Sequence, residues 1–136
     1  MNYLLDSNVC IALMNGTPRS VRERYAQVLR AGSQLYISSV VAHELWYGVA
    51  KSEQAERNAR KLQGFLAGEV NVLEFSEREA QVSGNIRAEL ERQGLRIGEY
   101  DTLIASQAMS QEFIMVTANV REFGRVKGLV VEDWTA

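Results

Sequence analysis

Four short stretches of this chain each place an acid or an amide just past a strand-like run. They are Leu4-Leu5-Asp6-Ser7-Asn8, Ala42-His43-Glu44-Leu45, Gly98-Glu99-Tyr100-Asp101 and Val116-Thr117-Ala118-Asn119. Together they describe carboxylates gathered at the carboxyl edge of a parallel sheet. Carboxylates held close together repel one another, and a cation is what offsets that repulsion. A hydrated divalent cation is also a tool for cutting phosphodiesters.

Each residue has a plainer reading. Asp6 follows an apolar strand, where a carboxylate is costly to bury unless it is paired or metal-bound. It could equally cap the next helix, with Ser7 or Asn8 sharing that task. Glu44 lies between Val40-Val41 and Leu45-Trp46. Its neighbours three and four positions away are Val40, Val41, Tyr47 and Gly48, so it borders an apolar surface, with a solvent-facing position as the alternative. Glu99 and Asp101 open a helix and would complement its dipole. Asp101 runs straight into Thr102-Leu103-Ile104-Ala105 and is the one nearer the core; Glu99 is the more exposed.

Asn119, with Thr117, could ligate a hard cation through its carbonyl oxygen, hold a metal-bound water, or simply make a turn or cap. Glu122 could add an outer-sphere carboxylate. Arg121, Arg125 and Lys127, with Arg87, Arg92 and Arg96, fit either a rim that touches phosphates or a solvated surface. His43 is the only histidine and has no cysteine or second histidine beside it, so zinc is excluded.

The elements that must position these residues follow from periodicity. Short apolar strands are expected at 2–5, 34–37, 70–73, 113–116 and 129–131. Helices are expected at 8–14, at 18–31 with Thr17 as cap and Pro18 as first residue, from Ser38-Ser39 to about 51, at 54–67 after Ser52-Glu53, from a Ser76/Glu79 capping box to 93, and at 100–109. The stripe of the capping-box helix includes Ala80, Ile86 and Leu90. Strands alternating with helices imply a parallel sheet covered on both faces, with ligands bound beyond the carboxyl ends of its strands.

Composition bounds the rest. The 136 residues, 46% hydrophobic, suit one domain spanning 1–136. Fifteen basic against seventeen acidic residues leave a net charge of −2, which argues against holding nucleic acid by bulk charge alone. One cysteine, Cys10, cannot form an internal disulfide, so a reducing cytoplasm is the expected compartment. No membrane span or signal peptide is expected.

Read together, these stretches resemble the PIN-domain ribonucleases, specifically the VapC-type toxins of bacterial type II toxin–antitoxin pairs. The matching segments span nearly the whole chain: Leu4 to Ile11, Ile37 to Val40 with Glu44-Leu45-Trp46-Tyr47-Gly48, Ile86 to Leu90, Ile97 to Ala105, Val116 to Phe123, and Val131-Glu132-Asp133-Trp134. The resemblance implies an α/β fold, a PIN-domain α/β/α sandwich around a central parallel five-stranded sheet. It makes Asp6, Glu44 and Asp101 ligands of Mg2+, with Mn2+ able to substitute, and adds Asn119 to the residues that do the chemistry. Ser7 matches a hydroxyl position, usually threonine, and Asn8 a polar one. Thr117, Arg87, Glu99 and Arg121 fall at the rim.

Two departures stand out: Ala118 where similar toxins often have a second asparagine, and Glu99 in place of a common proline. The resemblance further implies a homodimer, an RNA substrate with the anticodon stem-loop of initiator tRNA as the leading candidate, and a cognate VapB-type antitoxin. The antitoxin's C-terminal segment would cross the active groove, and operator DNA would be reached only through it. The competing expectation is a catalytically silent PIN-like binding module whose acids only cap helices. A receiver-type signalling domain would need an acidic pair near the first strand and a lysine after the last, and has neither.

Overall fold

Tyr3–Leu5 (β1) and Ile114–Val116 (β4) are apolar throughout and buried at every residue. A strand with no alternation belongs in the interior of a parallel sheet covered on both faces. The structure, a computed structural model describing residues 1–136, pairs these two strands side by side, Leu5 opposite Val116. Leu35–Ser38 (β2), Val70–Leu73 (β3) and Val131–Glu132 (β5) complete a sheet of order β3-β2-β1-β4-β5, parallel at every pairing.

The helices are Ser7–Asn15 (α1), Arg19–Arg30 (α2), Ser39–Ala50 (α3), Ala55–Leu66 (α4), Glu77–Arg92 (α5), Glu99–Gln111 (α6) and the short Val120–Phe123 (α7). They flank the sheet as the expected α/β/α sandwich. None is long and apolar enough to cross a membrane.

The chain walks outward from β1 through β2 to β3, then returns across β1 to lay down β4 and β5. The reversal puts the switch point between β1 and β4, where open α/β sheets bind ligands. Asp6 and Thr117 are the first residues beyond those two strands. Leu4, Leu5, Leu35, Ile37, Met115 and Val116 fill the centre with no measurable exposure.

Several local expectations need correction. Pro18, not Thr17, is the N-cap of α2, with extended backbone and no side-chain cap bond, so the helix starts one residue later. Ser52 does not open α4; its hydroxyl donates to the Val49 carbonyl, and Gln54 takes the cap position. Ala80 of α5 is exposed, and the buried residues are Glu79, Ser83 and Leu90. The offset arises because the capping box folds the Glu79 carboxylate back onto Ser76, accepting from its N–H at 3.3 Å and its hydroxyl at 2.8 Å. The α7 turn was not foreseen. Phe123, 1% exposed, anchors it, and burying that ring contributes about 2 kcal/mol.

Candidate metal-assisted active site

Asp6 is both buried, at 8% exposure, and the N-cap of α1: its Oδ1 accepts the Val9 N–H at 2.9 Å. Its own N–H donates to the Val116 carbonyl at 3.1 Å, fixing the residue at the β1–β4 junction. The cap reading is therefore right and incomplete, because a carboxylate has about four acceptor positions. Burial pushes the Asp6 carboxyl above its ordinary range and the nearby Glu44 charge adds to that. The Thr117 hydroxyl and the N–H groups of Val9 and Asn8 pull the other way.

Glu44 projects from the middle of α3 and is half-buried. Its Oε1 accepts the Ser7 hydroxyl at 2.8 Å. Ser7 thus holds one carboxylate in place while beginning the helix that the other caps.

Asp101 occupies the first turn of α6, which begins at Glu99, one residue earlier than expected. Its carboxyl is pushed up to about 6, chiefly by burial, then by the charges of Glu122, Glu44 and Asp6. The charges of Glu44 and Asp6 therefore reach Asp101 across the site, alongside that of Glu122. Gly98 makes room for it: a Cβ there would stand 3.3 Å from Asp101 Oδ2, so any side chain would press on the carboxylate.

Asn119 caps the start of α7 without a side-chain cap bond. Its N–H donates to Thr117 Oγ1 at 3.0 Å and its Nδ2 donates to Glu122 Oε2 at 2.6 Å. Donation to a carboxylate fixes which end of the amide is nitrogen and leaves Oδ1 as the free acceptor.

Glu122 does more than supply outer-sphere charge. Its second oxygen accepts the Gly98 N–H at 2.7 Å, so one side chain ties the entry of α6, which carries Asp101, to Asn119. Those two bonds hold its own carboxyl below the usual value. The spacing Asn119-Val120-Arg121-Glu122 matches a capping-box pattern and is the available signal for the Asn119 half of this role. Glu122→Ala is expected to lower RNA cleavage about tenfold, the usual cost of losing a residue that orients a ligand. A parallel melting curve should show a fold still intact; cleavage at the parental rate would refute the clamp.

Several of the basic residues are engaged by neighbouring groups. Arg87 and Arg96 share Glu91 at 3.1 and 4.0 Å, Arg92 pairs with Glu89, and Arg125 donates to the Arg96 carbonyl at 2.7 Å. Arg87 lines a groove with Glu99 and Tyr100, and Arg121 is exposed on α7. Cys10 is fully buried and burial pushes its thiol far up, so it offers no nucleophile.

The donor set is entirely oxygen: three carboxylates and an amide carbonyl. No three acidic, histidine or cysteine side chains converge to enclose an ion directly. Magnesium keeps several of its waters and takes one or two carboxylates. A cluster whose members hold Asp101 at about 6 by burial and repulsion fits a hydrated ion of that kind.

A five-stranded parallel sheet with acids at the β1–β4 switch point defines a class, and the PIN domain model matches residues 3–129. The chain belongs to the PIN domain family. Within it, the chain is 44% identical over 135 residues to the tRNA(fMet)-specific endonuclease VapC of Shigella flexneri, covering 99% of each. It is 40% identical over 134 residues to the protein of the same name from Salmonella typhimurium, covering 98% of each. Its fold superimposes with a TM-score of 0.90 on a chain of the Rickettsia felis VapBC2 complex bound to a promoter DNA fragment, at 38% identity over 98% of this chain and 99% of that one.

Proposed function

We propose that this protein is the toxin of a type II toxin–antitoxin module, an endoribonuclease that depends on Mg2+ or Mn2+ and cuts RNA in the cytoplasm. The observation that supports the reading is the placement of Asp6 at the β1–β4 switch point of a PIN fold, near enough to Glu44 and Asp101 for their charges to act on one another. Asp6, Glu44 and Asp101 would hold the ion, which when bound supplies an acidified water and stabilises charge on the phosphorus centre. The chain's own contribution is positional. Ser7 orients Glu44, the α1 N-terminus and Thr117 orient Asp6, and Glu122 sets Asn119 and the α6 entry that carries Asp101.

The substrate suggested by the Shigella and Salmonella relatives is initiator tRNA, cut in its anticodon stem-loop. A cognate VapB-type antitoxin would inhibit the enzyme and carry it to operator DNA, as the Rickettsia complex suggests, and the active species would be a homodimer. The silent-module alternative is disfavoured by the intact acid set and by full-length relatives named as nucleases.

The test is incubation of the purified protein with initiator tRNA and with bulk RNA, followed by sequencing of the new 5′ ends. Cleavage should require Mg2+ or Mn2+ and stop in excess EDTA. Undiminished cutting in EDTA, or none with either metal, would overturn the reading.

A further inference from the structure

A single exposed ring is ordinary, but exposed rings gathered at one cleft mark a candidate binding surface. Here two tyrosines are exposed on the elements that carry the carboxylates: Tyr47 at 60% on α3, one turn beyond Glu44, and Tyr100 at 47% on α6, directly before Asp101. Between them lies an open cleft of about 410 Å³, lined by Ser7, His43, Glu44, Tyr47, Lys51 and Tyr100, with Gly48 in its wall. The His43 ring meets Tyr100 edge-on at 5.9 Å between centroids. Lys51 places its ammonium 4.9 Å from the centre of the Tyr47 ring. The cleft shares Ser7 and Glu44 with the site itself, so whatever fills it is adjacent to the reacting phosphate.

We propose that this cleft is a base-stacking subsite, in which an unpaired nucleobase next to the scissile phosphate packs on Tyr47 and Tyr100 while Lys51 meets a flanking phosphate. Aromatic faces with interleaved cations are how proteins hold single strands, because every base has a face to stack. Bases within a duplex are already stacked and cannot enter. The arrangement also answers a charge problem: a chain of net charge −2 with an acidic centre needs a local, partly non-ionic way to hold RNA. A loop in the substrate is thus selected by the need for a free base, whatever its sequence.

This inference rests on the RNA-cleaving reading above, and the experiment separates the two. The full-length chain carrying Asp6→Asn serves as a non-cutting parent. Its binding to a short fluorescent single-stranded RNA is compared with binding to the same RNA bearing one abasic residue at successive positions. Tyr47→Ala should weaken binding of the intact RNA about tenfold, and Tyr47→Phe should not. At one position the abasic RNA should bind the parent correspondingly weakly, and that penalty should vanish in the Tyr47→Ala background. Lys51→Ala should reduce the dependence of log affinity on log salt by about one.

An abasic penalty that persists unchanged without Tyr47 would overturn the subsite. So would a Tyr47→Ala protein that binds RNA normally but sediments as monomer where the parent is dimeric, since the face would then be a subunit contact. If the wild-type chain cuts no RNA at all, the functional reading falls; if it cuts and the abasic penalty is indifferent to Tyr47, only the subsite does.

Discussion

Asp6→Asn is expected to lower RNA cleavage by about a hundredfold or more while leaving the folded state intact. Asparagine serves as an N-cap about as well as aspartate, so the bond from the Val9 N–H survives with the amide oxygen as acceptor. What is lost is one buried negative charge, with the ability to hold a cation firmly. The contrast with Asp6→Ala makes the prediction specific. Alanine removes both duties and should lose about 1 kcal/mol of stability in addition to activity. Melting curves and cleavage rates on the same preparations separate the effects. An asparagine variant that cuts at a tenth of the parental rate or faster would mean that Asp6 contributes no more than a residue that orients a ligand, and not as a ligand itself.

The second large effect is a pH dependence that is the reverse of ordinary acid denaturation. Asp101 has an ordinary value of 3.8 and is raised to about 6 in the fold. Between those limits the folded chain keeps a proton that the unfolded chain has lost, so stability falls as pH rises through this window. Asp6 is shifted in the same direction, whereas Glu122, held low, contributes stability that is lost as pH falls. Asp101 is only half-buried, so solvent screening reduces its share to about 1 kcal/mol.

In EDTA, the metal-free protein should therefore melt lower at pH 8 than at pH 5. Asp101→Asn should raise the pH 8 melting temperature by about 3 °C. Saturating Mg2+ should restore the wild-type protein, by about 2.7 kcal/mol at a hundredfold excess over its dissociation constant, and help the variant much less. A wild-type melting temperature that climbs from pH 5 to pH 8 in EDTA would contradict the raised Asp101 carboxyl.

The sequence exposed the central strands and the acids just beyond them more fully than the scaffold that orients those acids. The uninterrupted apolar runs at Tyr3–Leu5 and Ile114–Val116 revealed central strands, and the acids just beyond revealed the edge where chemistry is placed. Strand order was not legible, because which strand lies beside which is settled by packing among residues far apart in the chain. The Glu122 bridge to Gly98 spans 24 residues, and no local spacing encodes a bond of that length. Short elements also escaped: α7 has four residues, too few for a helical period to register. On α5 the Ile86 and Leu90 positions held and only Ala80 failed, its place taken by a glutamate that its own capping bond buries.

The place of β4 in the sheet has a consequence for how the activity comes into being. Asp6 and Glu44 emerge from the ribosome long before Asp101 and Asn119, yet the proposed centre needs all four. The centre is assembled only when β4 slots against the bare edge of β1, a parallel pairing that brings Leu5 to Val116 across most of the chain. Pairings so distant in sequence form slowly. A nascent chain is therefore inert through most of its own synthesis, and a truncated or stalled product ending before Ile114 carries all three acids, Asp6, Glu44 and Asp101, but neither Asn119 nor the strand that sets them beside β1. Lethality arrives late and all at once, which gives any inhibitor made alongside it a head start.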